Sequence, residues 1–123
     1  MKEIDVQRAV LKWLHSKDGV MAWRQNNGSQ YDMKIGGYRS FSGLKGIPDI
    51  IAVMQVDGFN VTMWVEVKHK SRQSADQILF QKRVEHLGGF YFVVKNVDDI
   101  EKAYEKTVQD MQKRIQNKAI TRL

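Results

Sequence analysis

Cysteine is missing from all 123 residues, proline occurs once, and no apolar run is long enough to cross a bilayer. The first absence excludes disulfides and thiolate metal sites, and it is compatible with a reducing cytosol. The second leaves Pro48 as a single mark at the start of an apolar stretch, the position in a strand that tolerates proline. The third excludes a membrane-spanning helix. Residues 1–8 are charged and lack an apolar segment, so no secretory leader is expected. Internal repeats, linkers and low-complexity tracts are also missing. What remains is a chain suited to one domain with one core, spanning residues 1–123. Its hydrophobic share of 42% is enough for a globular fold. A formal charge of +6 and a pI near 9.6 favour a polyanionic partner.

Residues 3–16 read as an amphipathic helix, with Val6, Ala9, Val10, Trp13 and Leu14 at helical spacing and Gly19 beyond its end. Glu3, Gln7 and Val10 share a neighbouring stripe. Val20–Arg24 can form a short strand. From Gln25 to Gly46 the periodicity dissolves into turn-forming residues, and a segment of that length is either functional or conceals a hairpin. Residues 49–55 and 60–68 read as two strands joined by the turn signal Asp57-Gly58. In the second, Val61, Met63, Val65 and Val67 take one face, while Thr62, Trp64, Glu66 and Lys68 take the other. Ser74 is placed to cap a helix over 75–87. Residues 90–94 form a strand, and Asp98 or Asp99 opens a last helix reaching about residue 118. Its apolar stripe is Ile100, Ala103, Tyr104, Val108, Met111 and Ile115, the last two available to a dimer partner. The order α, β, β, β, α, β, α indicates an α/β sandwich with a mixed sheet.

Two phrases carry chemistry: Gly46-Ile47-Pro48-Asp49 before the first hairpin strand, and Glu66-Val67-Lys68 near the end of the second. Alternate strand residues share a face, so Glu66 and Lys68 point the same way and can meet Asp49 across the pairing. Two carboxylates suit a hard divalent cation, Mg²⁺ or Mn²⁺, which typically takes one or two of them and keeps several waters. Such an ion supplies a nucleophilic water and neutralises phosphoryl charge. The Lys68 ammonium stabilises developing negative charge or orients the water. Glu3 can approach the same ion, directly or through water. The plainer reading is a surface ion pair on the solvent face of a strand, worth little.

The chain resembles the virus-type replication-repair nuclease (VRR-NUC) domains of the PD-(D/E)XK superfamily. Five segments carry the resemblance in order: Glu3 to Gln7; Trp23-Arg24-Gln25-Asn26; Gly46 to Asp49; Glu66-Val67-Lys68; and Ser74 to Phe80 with the Gly88-Gly89 turn and the strand to Val94. The resemblance implies an αβββαβ restriction-endonuclease-like core, a mixed central sheet flanked by helices, over about residues 3–95. The C-terminal helix, about 98–118, lies outside it. It further implies Asp49, Glu66 and the Val67 carbonyl as metal ligands, Lys68 as the catalytic lysine, Glu3 as an outer metal-site carboxylate and Gln77 as an adjacent polar support. Stand-alone members, often phage-encoded and so acting in a host cytoplasm, resemble homodimeric nucleases that cut four-way DNA junctions. Two active sites about a two-fold axis suit a substrate with its own approximate two-fold symmetry. A nuclease for flaps, nicks or a recognition sequence, or a DNA-binding module without catalysis, remains open.

Lys34, Arg39 and Lys45 alternate with Tyr31, Tyr38 and Phe41, a mixture suited to phosphates and unstacked bases. The alternative is a solvated loop anchored by its rings. Lys70 and Arg72 can clamp the strand being cut. Arg24 and Asn26 either line the cleft or make structural pairs. His15, His69 and His86 lack paired metal-ligand spacing.

Overall fold

The structure, a computed structural model, describes residues 2–25, 29–34, 36–40 and 44–121, with the backbone alone for 29–32, 37–40 and 119–121. The elements are α1 (Glu3–His15), β1 (Val20–Arg24), β2 (Ser29–Asp32), β3 (Gly37–Ser40), β4 (Ile50–Val56), β5 (Phe59–Val67), α2 (Ala75–His86), β6 (Phe90–Val94) and α3 (Val97–Thr121). The main sheet has the order β1-β4-β5-β6, antiparallel except for the parallel β5–β6 pair. This is the expected mixed α/β sandwich. The segment that lost its periodicity conceals a hairpin, with β2 and β3 paired as a separate two-stranded sheet.

The hairpin β4–β5 forms where the turn signal lies, because Asp57 and Gly58 both adopt positive φ, 49° and 90°. That is the twist a two-residue hairpin loop needs. On one sheet face Ile50, Ala52, Met63, Val65 and Val67 are fully buried beneath α1 and α3. α1 contributes Val6, Val10 and Leu14, one residue per turn of the helix. α3 contributes Ile100 and Ala103. Buried Thr107 satisfies its hydroxyl by donating to the Ala103 carbonyl at 2.8 Å.

The other face is covered differently. α2 packs there through Phe80 and Val84 onto Tyr91, with Trp64 edge-on to Phe80 at 5.3 Å. Glu66 lies on this face and is only 1% exposed. The plainer reading, a surface ion pair on a solvent face of β5, therefore does not hold at Glu66. Helix packing, which strand alternation does not encode, decided this.

Several element bounds shift by one residue from the sequence reading, and α3 differs at both ends. α3 begins at Val97, earlier than Asp98 or Asp99, because the Asn96 side chain accepts the Asp99 amide at 2.8 Å. The Asp99 carboxylate turns back to accept the Lys95 amide at 2.9 Å. The helix also runs to Thr121, past residue 118. Arg114 fastens its distal half, donating to the Gly88 carbonyl at 2.6 Å and lying over the Phe90 ring. Among the described residues, no helix is long and apolar enough to cross a membrane.

Candidate active site

The start of β4 and the ends of β1, β5 and β6 meet at one rim of the sheet, and the chemistry-bearing residues gather there. Ile50 pairs with Val65, so the next step outward sets Asp49 opposite Glu66. The Val67 amide donates to Asp49 Oδ2 at 2.9 Å, fixing the carboxylate against β5. On the other side the Gln25 amide donates to the Asp49 carbonyl at 2.7 Å, extending the β1–β4 ladder by one rung. Asp49 is held from both neighbours before any ligand arrives.

Glu66 Oε1 lies 3.9 Å from Lys68 Nζ, and both side chains are largely out of solvent. Glu66 Oε2 is buried without a hydrogen-bond partner among the described residues. Burial is the main reason that the Glu66 carboxyl is pushed up to about 9, and a hydrogen bond shared with Asp49 and the charge of Asp49 add to it. Lys68 pulls the other way. Tyr91, two positions along the neighbouring strand from the Glu66 level, is also raised by burial, and the Glu66 charge contributes.

An orphaned, buried carboxylate oxygen beside a second carboxylate is unfavourable unless something positive joins them. A divalent cation would reverse the sign of the interaction, so Asp49 and Glu66 fit one. Among the described residues no group of three His, Asp or Glu side chains converges on a point. Two carboxylates with water filling the remaining positions suit Mg²⁺.

Glu3 sits beside this pair but is otherwise engaged. Its Oε2 accepts from the Ser71 hydroxyl at 3.1 Å and, at a long 3.5 Å, from the His69 amide. It ties the first turn of α1 to the link after β5, and its charge contributes to raising Glu66. Gln77 completes a capping box: its Oε1 accepts the Ser74 amide at 2.8 Å while Ser74 Oγ accepts the Gln77 amide at 3.2 Å. The side chain expected as polar support thus holds the start of α2.

Gly46 has a role that its motif alone did not reveal. Its φ is +81°, and a Cβ there would overlap the backbone carbonyl of Asp76 and crowd the Gln77 amide. The loop leading to Asp49 therefore rests directly on the first turn of α2, and glycine is required twice over.

The basic candidates are dispersed. Lys70 and Arg72 are exposed in the link that leaves the rim, and Lys45 is exposed just before Gly46. Lys34 is exposed in the β2–β3 turn. Arg39 lies in β3, where only the backbone is described, and Asn26 lies outside the described residues. Arg24 is exposed, but it pairs with the buried core residue Ile50. Register therefore sets it on the α1 side of the sheet, the side opposite Glu66. Its neighbours Trp23 and Gln25 take the Glu66 side. Alternation counted outward from buried Ala22 already contained that assignment.

A scan against protein-family models finds no match, and a search of curated proteins finds none. Among solved structures, one described as a VRR_NUC domain matches with a TM-score of 0.58 at 22% sequence identity. The match covers 84% of this chain and 94% of that one. The chain has the fold of a VRR_NUC domain.

Proposed function

We propose that the chain is a Mg²⁺- or Mn²⁺-dependent endodeoxyribonuclease that hydrolyses phosphodiester bonds in branched DNA, four-way junctions in particular, as a homodimer. The observation that carries the chemistry is the buried Glu66 carboxylate, set against Asp49 and Lys68 at the sheet rim with one oxygen unpartnered among the described residues. The VRR_NUC fold supports a nuclease, and the net charge of +6 supports DNA as its partner. Junctions and dimerisation rest on the motif resemblance.

In this reading Asp49, Glu66 and the Val67 carbonyl would hold the ion. When bound, the ion neutralises phosphoryl charge and lowers the pKa of an attacking water. Lys68, with its Nζ 3.9 Å from Glu66, stabilises the negative charge that builds on phosphorus-bound oxygens. The water oxygen bonds to phosphorus as the bond to the leaving oxygen breaks. The Val67 amide keeps Asp49 from rotating away, and Glu3 keeps the Lys68-to-Arg72 link close to the site. Exposed Lys70 and Arg72 meet the DNA backbone.

The deciding experiment sets labelled four-way junction, flap, nicked duplex and linear duplex side by side, with Mg²⁺ and with chelator. Junction cleavage that chelator stops is expected, and Asp49→Ala, Glu66→Ala and Lys68→Ala each lose on the order of 10²-fold or more. If Glu66→Ala cuts like the parent, the site is wrongly assigned. Cutting of linear duplex at one fixed sequence would end the junction reading. Binding without turnover throughout points to a DNA-binding module.

A further inference from the structure

The end of β1 brings two unassigned side chains to the catalytic face. Trp23 pairs with Ile51, Ile51 with Trp64 and Trp64 with Tyr91, a single row across all four strands. One step nearer the rim, the next row runs Gln25, Asp49, Glu66 and Val93, by extension of the same register. α2 covers only the Trp64–Tyr91 half of this face. On the uncovered half Trp23 is 38% exposed and Met21 62% exposed, while Ile51 and Val53 are half-buried.

The indole is held in place. Its Nε1–H donates to Gln25 Oε1 at 3.2 Å, and the Gln25 amide in turn donates to the Asp49 carbonyl. A solvent-facing ring is thus anchored through two hydrogen bonds to the residue proposed to hold the metal. Anchoring an exposed aromatic side chain preserves a flat surface that water alone does not need. With its oxygen committed to Trp23, Gln25 keeps amide N–H groups as donors suited to a phosphate.

We infer that Trp23 and Gln25 form a nucleotide platform beside the cutting centre, Trp23 stacking on an unstacked base and Gln25 donating to the adjoining phosphate. The occupant is an unstacked nucleotide of DNA, because every base has a π-face and a continuous duplex offers none sideways. Charge agrees, since Lys45 four residues before Asp49, and Lys70 and Arg72 just after Lys68, are exposed. This inference rests on the nuclease reading and adds to it a preference for DNA that exposes an unstacked base, at a branch point or in a single strand, next to the scissile phosphate.

The test uses the full chain with Ca²⁺ in place of Mg²⁺ for binding, and Mg²⁺ for cleavage. The probes are a four-way junction, a duplex with a single-stranded overhang, and a continuous duplex. Trp23→Ala should weaken binding to the first two by roughly 5- to 100-fold and leave the continuous duplex within about twofold. Trp23→Phe should recover most of the loss, and Gln25→Leu should lose less than Trp23→Ala. Overhang DNA should quench the tryptophan fluorescence of the parent, and that quenching should vanish in Trp23→Phe. Equal losses on all three probes, or none, would overturn the platform, as would a folded Trp23→Ala protein that has changed from dimer to monomer. If the parent cuts nothing yet Trp23→Ala still loses overhang binding, the nuclease reading fails and the platform stands. If all variants cut and discriminate like the parent, the reverse holds.

Discussion

Beneath α1 and α3 the sheet presents apolar residues up to exposed Arg24 at its rim, and Ile50, Met63, Val65 and Val67 there have no solvent exposure. On the opposite face the same strands present Asp49 and Glu66, then Trp64 and Tyr91 packed against Phe80 and Val84 of α2, and an open stretch with Trp23 and Met21. One face supplies free energy of folding, at roughly 25 cal/mol for each Å² of apolar surface removed from water. The other gives some of it up, because a carboxylate buried without a full set of partners is unfavourable. The same β4–β5 pairing serves both, since alternation sends neighbouring residues to opposite sides. A stable sheet and a strained site are therefore separable by mutation, although only one residue apart in sequence.

The largest effect that tests this separation comes from neighbours on β5. Met63→Ala should cost about 2–5 kcal/mol in denaturant unfolding. Glu66→Gln should abolish cleavage while leaving stability equal or higher at neutral pH, because it removes a buried ionisable group. If Glu66→Gln destabilises the protein as much as Met63→Ala does, the two faces are not functionally distinct.

Next comes Gly46→Ala. Positive φ and the contact with the Asp76 carbonyl should together cost about 1–3 kcal/mol, measurable as a shift in the unfolding midpoint. Cleavage should fall as well, because Asp49 is carried on the same loop. A variant with full stability and activity would show that the loop does not lean on α2.

A third effect is a dependence of stability on pH. In chelator, folded Glu66 keeps its proton up to about 9, whereas an ordinary glutamate releases it near 4.5. Between those values the folded chain binds more protons than the unfolded one, so stability falls as pH rises through the window. The contribution is fully present below 4.5 and gone above 9. Mg²⁺ should flatten the slope, and Glu66→Gln should remove it. Thermal unfolding at a series of pH values reads this directly, and a rising slope would contradict the burial of Glu66.

Several features were legible before any coordinates. The Asp57-Gly58 turn, the alternation on β5 and the Ser74 cap are local signals, and each element stands close to where they place it. The hairpin of residues 29–40 was hidden because its strands are short and mixed polar and aromatic, with no apolar alternation to mark them. Asp98 and Asp99 looked like caps because acidic residues favour helix starts, yet Asn96 held the position and Asp99 bonded backward. At the site, the meeting of Asp49 with Glu66 followed from strand parity. Of the two alternatives for Arg24, lining the cleft or making a structural pair, parity is against the first, since it sets Trp23 and Gln25 on the Glu66 face.

By itself the sequence determined which residues alternate, where the chain turns, and hence that Asp49, Glu66 and Lys68 share one side of a hairpin, because these depend on neighbours a few positions apart. Only the tertiary structure decided how deeply Glu66 is buried, that Gly46 lies against the first turn of α2, and that Trp23 stays uncovered. Those outcomes depend on where distant helices pack on the sheet, and helix packing is a property of the assembled surfaces.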